Sequence, residues 1–153
     1  MPFTPQPNLK GIGGWLSLLC ISLILLSPLF MLGGASNYLK AAQILGVRYP
    51  AYSQVLKVES ITLLGFAAFS IYSGVLLLLK KRNAVKRTQL FLVSYFVFHV
   101  LCLVAVHGFD LTPEAGVRFE AIFGRTMLYS AIYTVIWYLY LSKSIRVQNT
   151  YSL

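Results

Sequence analysis

Three ionisable residues, Glu59, His99 and Arg125, stand within or beside long apolar stretches of the chain. An ionisable side chain at membrane depth marks a candidate functional site, because burying it in hydrocarbon is costly. Glu59 and Arg125 carry opposite charges and lie at the outer ends of two apolar stretches, so we predict that they pair there. Such a pair would make a charged site near the outer surface.

His99 lies midway along its apolar stretch, and two interpretations of it are open. It is either a functional group or a neutral imidazole hydrogen-bonded to a neighbouring helix. Cys102 lies one helical turn away, but two ligands without a third do not make a metal site. The apolar stretches contain neither an arginine cluster nor a serine, histidine and aspartate at matching depth. We therefore predict no metal, no cofactor and no enzymatic activity.

The elements that must position these residues are membrane-spanning helices. Apolar residues make up 58% of the 153 residues and charged residues only 11%, far from the composition of soluble domains. A helix needs about 20 apolar residues to cross a bilayer core about 30 Å thick. We predict a single all-α domain, residues 1–153, with four transmembrane helices at about 12–32, 57–79, 88–107 and 125–142. The first is too long for the core of a cleavable signal peptide and is expected to be retained.

The predicted outer loop, residues 33–56, has a pattern of its own. Apolar residues recur on one helical face from residue 36 to residue 45, which predicts a short amphipathic helix in the outer interface. Pro28 predicts a kink or an early end of the first helix, which Gly33 and Gly34 would close. Gly46 is expected to end the amphipathic helix, ahead of a turn at residues 48–50.

The distribution of charge predicts the orientation. Lys10, the basic loop at residues 80–87 and the tail at residues 143–153 together carry eight basic residues and no acid. The opposite side carries five basic residues and all four acids. By the positive-inside rule both termini and the basic loop are cytoplasmic, and the excess charge attracts anionic lipid. The net charge of +9 is therefore a sign of topology, and we predict no nucleic-acid binding.

Small residues form a strip on each of the first two helices, and such strips allow two helices to pack closely. They are Gly13, Gly14, Ser17 and Cys20 on the first helix and Gly65, Ala68, Ser70, Ser73 and Gly74 on the second. Ahead of the fourth helix, Thr112 and Pro113 predict a helix start. On the fourth helix, Thr126, Ser130 and Thr134 form a polar row that we expect to bond across helices.

The two ends of the chain carry motifs of a known family. The first is Gly11, Ile12, Gly13, Gly14, Trp15 and Leu16; the second, more specific, is Trp137, Tyr140, Ser144, Arg146, Val147, Thr150 and Tyr151. With these motifs the chain resembles the small bacterial inner-membrane proteins known as domain of unknown function 2569, in which the last position is Phe. Glu59 and Arg125 are also similar to family positions. The resemblance implies a four-helix inner-membrane protein without an assigned activity.

Two functions stay open at this point. The first is a non-catalytic binding, assembly or accessory component of an envelope complex. The alternative is a small oligomeric transporter or lipid-handling protein that uses a charged site near the outer face. The expected partners are membrane lipids and either another membrane protein or further copies of the chain itself.

Overall fold

The computed structural model describes residues 11–108 and 113–151, apart from the side chains of residues 51, 106–107 and 113–123. Its elements are the helices α1 (Trp15–Leu45), α2 (Pro50–Leu78), α3 (Ala84–His107), α4 (Pro113–Lys143) and α5 (Ile145–Tyr151). In the part of the chain that is described, three segments are long and apolar enough to cross a membrane: Trp15–Leu45, Tyr52–Leu78 and Ala84–Ala105. These observations confirm the prediction of a helical chain of membrane character.

Helix α1 is longer than predicted, and this corrects the prediction of an outer loop at residues 33–56. Residues 36–45 are helical, but they continue α1 instead of forming a separate amphipathic helix. Gly33 and Gly34 do not end the helix, because contacts with α2 hold it together there: the Ser60 hydroxyl donates to the Ala35 carbonyl at 2.8 Å. With 31 residues, α1 is about 46 Å long and exceeds the bilayer core by about half.

The middle of α1 contains a π-helical turn at Ser22–Leu26, immediately before Pro28. The predicted early end at Pro28 is wrong, since the α-helix resumes at Ser27 and runs on to Leu45. A π turn is wider than an α turn and changes the direction of the side chains that follow it. It therefore sets how the second half of α1 faces the rest of the bundle.

The remaining boundaries also shift. Helix α2 begins at Pro50 instead of near residue 57, and α3 begins at Ala84 instead of near residue 88. The predicted stop at Gly46 is confirmed, because α1 ends at Leu45 and the Ser53 hydroxyl, which donates to the Ala42 carbonyl at 2.8 Å, closes the turn. A helix starts at Pro113 as predicted, but it runs unbroken to Lys143, so α4 begins well before residue 125, where the fourth helix was predicted to start. Thr112 lies outside the described residues.

The helices pack in chain order: α1 lies along α2, α2 contacts α3, and α3 lies along α4. Among the described residues, direct contacts between α1 and α4 are few, so the ring of helices is not tightly closed on that side. Many large apolar side chains face outward, among them Phe30 (79% exposed) and Ile61 (68% exposed). An apolar exterior of this extent is expected of helices surrounded by lipid.

Candidate functional site

The gap between α1 and α4 forms a groove with a volume of about 620 Å³. Its rim is exposed at Leu26, Phe30 and Tyr129, and its floor is formed by buried residues of α2 and α3. Aromatic and aliphatic side chains supply most of the lining, with a few hydroxyl groups and one imidazole between them. The lining residues are Ser22, Leu26, Ser27, Phe30, Met31, Gly34, Tyr38, Leu63, Phe91, Tyr95, His99, Thr126, Tyr129, Ser130 and Tyr133.

The π turn of α1 fits against α2 through small residues of α2. Ser70 donates a hydrogen bond to the Leu23 carbonyl at 2.7 Å, which supplies a partner for a backbone group within the π turn. A Cβ on Gly74 would lie 2.5 Å from Ile24 Cγ1 and 3.1 Å from Leu23 Cβ, so only a glycine permits this approach. This part of the predicted small-residue strip packs as expected, whereas Gly65 of the same strip is exposed.

A hydroxyl cluster bridges the groove. The Tyr133 hydroxyl of α4 is 2.8 Å from Ser22 Oγ and 3.3 Å from Ser27 Oγ of α1. Ser22 is the first residue of the π turn and Ser27 follows it directly, so the turn brings both hydroxyls to the same partner. These contacts join the two helices that otherwise barely meet.

The residues of the predicted polar row on α4 differ in their hydrogen-bond partners. Thr134 donates to the Leu92 carbonyl of α3 at 3.0 Å, which is the expected bond across helices. Ser130 instead donates to the Met127 carbonyl of its own helix at 2.8 Å, so the expectation is wrong for Ser130. Thr126 and Ser130 both line the groove. The row therefore partly stabilises the bundle and partly lines the groove.

His99 lies on the floor of the groove and is 98% buried. Its Nδ1 is 2.9 Å from the Tyr95 carbonyl of its own helix, where it acts as the donor, and this leaves Nε2 as an acceptor. The Tyr95 ring packs edge-on against the imidazole at 4.4 Å between centroids. The predicted bond to a neighbouring helix is thus replaced by a bond within α3. Among the described residues, no group of three metal-binding side chains exists.

The predicted pair of Glu59 and Arg125 is not formed. Glu59 is only 1% exposed, and among the described side chains neither of its oxygens has a hydrogen-bond partner, whereas Arg125 is exposed. The cause is the length of α1: residues predicted to lie in an open loop are helical and cover Glu59. The Tyr38 hydroxyl and the Cys102 thiol interact electrostatically with the carboxyl. Glu59 and His99 are thus brought into one region, and Arg125 is not.

The family-like motifs from the two ends of the chain meet at the end of the bundle that contains α5. The Gly11 amide donates to Thr150 Oγ1 at 3.0 Å, and the Trp15 and Trp137 rings pack edge-on at 6.2 Å. Gly11 has a positive φ of 94°, which favours glycine. These contacts fasten the start of the described chain to α4 and to α5.

Helix α5 is also fastened to the end of α2. The Tyr151 hydroxyl donates to the Leu77 carbonyl at the end of α2 at 2.8 Å. Burial raises the pKa of Tyr151 above its ordinary value, so its hydroxyl keeps the proton that it donates. Val147 is fully buried, and a Cβ on Gly13 would lie 2.7 Å from a guanidinium nitrogen of Arg146. The motif residues therefore stabilise this end of the bundle, and they are not among the residues that line the groove.

Sequence reasoning missed the groove because its parts carry no motif. Tyr38 was assigned to a separate outer helix, and the spacing of Ser22 and Ser27 gives no sign of the π turn between them. One signal was present: Tyr133 lies one turn from Tyr129 and from Trp137 on a row of large aromatic residues. Such a row identifies a helix face but not which helix lies opposite.

A family model described as "Protein of unknown function (DUF2569)" matches residues 9–152 of the chain. No curated protein and no solved structure matches it.

Proposed function

Because the chain belongs to this family, whose description assigns no activity, we propose a function from the groove itself. The protein is a non-catalytic membrane protein that binds an amphipathic molecule between α1 and α4. The observation that carries the proposal is the lining of this groove of about 620 Å³. Its rim is apolar and exposed, and its floor is buried and contains hydroxyl and imidazole groups.

The shape and lining of the groove suit a ligand with an apolar body and a small polar head. Ligand sites are commonly clefts of about 300–1,000 Å³ that are mostly apolar with a few placed polar groups. An apolar body would lie against Phe30 and Tyr129 at the rim, where those side chains are otherwise exposed. A polar head would reach the buried His99, whose Nε2 accepts a hydrogen bond. This lining supports a role in lipid handling.

The setting of the groove in the membrane is part of the proposal. Helix α4 has 31 residues and lies along α3, and we infer that it is the fourth membrane span. We infer that the chain lies in the bacterial inner membrane with both termini in the cytoplasm. What supports this orientation is the basic surplus at the ends of the chain and between α2 and α3.

A second candidate function is that of an accessory subunit whose partner covers the same groove. It is supported by the exposure of Phe30 and Tyr129 on both sides of the opening, since a partner helix could cover both. Homo-oligomers would cover this face in the same way. Both candidates share the groove and differ in what occupies it, so one experiment can compare them.

The experiment is native mass spectrometry of the protein extracted together with its surrounding lipid. We expect the wild type to retain one small molecule per chain. Ser130→Phe, which adds a bulky ring in the groove, should lose at least nine-tenths of it. Val135→Phe is the matched control: it adds the same ring to the same helix at a residue that is 55% exposed and outside the groove, and it should retain the ligand.

Two results would contradict the proposal. Equal retention in Ser130→Phe and Val135→Phe would show that the bound molecule lies elsewhere. A stoichiometric second protein in place of the small molecule, lost in Ser130→Phe, would replace the first candidate by the accessory subunit.

A further inference from the structure

The carboxyl of Glu59 is buried next to Tyr38, a residue that lines the groove. Its side chain is 99% buried, and both of its oxygens lack a hydrogen-bond partner among the described residues. Burying an ionised carboxylate without compensation is strongly unfavourable. A carboxyl in this position therefore either keeps its proton or has a cation nearby.

Two side chains connect this carboxyl to the groove. Tyr38 lines the groove and interacts electrostatically with the Glu59 carboxyl. Tyr95 also lines the groove and interacts electrostatically with Glu59. The carboxyl is thus one side chain away from a ligand on the groove floor.

The described groups that interact electrostatically with Glu59 are neutral in formal charge. The groups that interact with it are Tyr38 of α1, Tyr52 of α2, and Tyr95 and Cys102 of α3. Tyrosine and cysteine side chains are uncharged near pH 7 in their ordinary forms. Among the described residues that line the groove, none is a lysine or an arginine. Glu59 is therefore the group that would give this side of the groove a preference for a positively charged ligand.

We propose that the groove takes an organic cation with an apolar body and that Glu59, acting across Tyr38, is its counter-charge. The inference rests on the proposed function and specifies the chemical class of the ligand. The aromatic walls fit this class, because the faces of Phe, Tyr and Trp rings attract cations. Phe30, Phe91 and Tyr129 supply such rings along the groove.

Charge balance follows from the burial of the carboxyl. In the empty groove Glu59 holds its proton. When the cation arrives, the O–H bond breaks, the electron pair stays on the carboxylate, and the proton leaves to water. One positive charge enters as one leaves, so the buried region stays neutral.

The test measures equilibrium binding of two probes to the purified full-length protein in detergent. The cationic probe is tetraphenylphosphonium and the neutral one is triphenylphosphine oxide. We expect the wild type to bind the cation at least tenfold more tightly than the neutral compound. Glu59→Gln should weaken binding of the cation at least tenfold and leave binding of the neutral probe unchanged, while Glu59→Asp, which keeps the charge, should retain most of the preference.

The outcomes separate this inference from the function that it rests on. If the wild type and Glu59→Gln bind both probes equally well, the groove stands and the role of Glu59 is refuted. If the wild type binds neither probe, the ligand class is wrong, and native mass spectrometry of the extracted protein decides separately whether the groove holds any ligand. Unchanged binding of the neutral probe by Glu59→Gln also shows that the variant is folded.

Discussion

At the scale of single residues, the groove depends on small residues of α2 that are not part of its lining. Gly74 lets the π turn of α1 approach α2, and Ser70 satisfies the Leu23 carbonyl within that turn. Without this approach, Ser22 and Ser27 would not both reach the Tyr133 hydroxyl. The role of Gly74 is thus steric, and its effect on the groove is indirect.

Gly74→Ala is expected to lower stability. The added methyl group would lie 2.5 Å from Ile24 Cγ1, and overpacking of this kind costs about 1–3 kcal/mol. The matched control is Gly65→Ala on the same helix, where nothing lies within 4 Å and alanine is the better helix former by about 1 kcal/mol. Thermal unfolding in detergent should show a lower Tm for Gly74→Ala and an equal or higher Tm for Gly65→Ala. The same loss of Tm in both variants would rule out the steric explanation.

At the scale of elements, the sequence predicted the helices better than their ends. The apolar stretches located α1, α2 and α3, since an apolar run of sufficient length identifies a spanning helix directly. The apolar pattern did not predict that α1 continues through Gly33 and Gly34. What keeps this part of α1 helical is its contact with α2, namely the hydrogen bond from Ser60 and the burial of Ala35, and α2 is distant in sequence. The misplaced boundary is also why Glu59 was expected at an open edge and paired with Arg125.

The direction of the helices can be tested with single cysteines in a background that lacks Cys20 and Cys102. Asn83 lies between α2 and α3 beside the basic cluster, and Asn37 is an exposed residue in the second half of α1. We expect a membrane-impermeant thiol reagent added to intact cells to label Asn37→Cys and not Asn83→Cys. Disrupted cells should show labelling of both, which is the control for reactivity. Labelling of Asn83→Cys in intact cells would reverse the orientation.

At the scale of the whole molecule, the protein has a closed end and an open side. At the closed end, Trp15 and Trp137 pack together and Tyr151 bonds the end of α2. Elsewhere, α1 and α4 are joined mainly through the Tyr133 hydroxyl and leave the groove between them. The motif residues could be selected from the sequence because they are distinctive in type and spacing. The groove residues could not, because what they share is a position in space.

The central claim is that a ligand occupies this groove, and an experimental density map of the protein in a lipid nanodisc tests it most directly. We expect elongated non-protein density between Phe30 and Tyr129 that reaches towards His99 on the floor of the groove. A map in which protein side chains close the groove, or in which it is empty while α1 and α4 are well resolved, would contradict the claim.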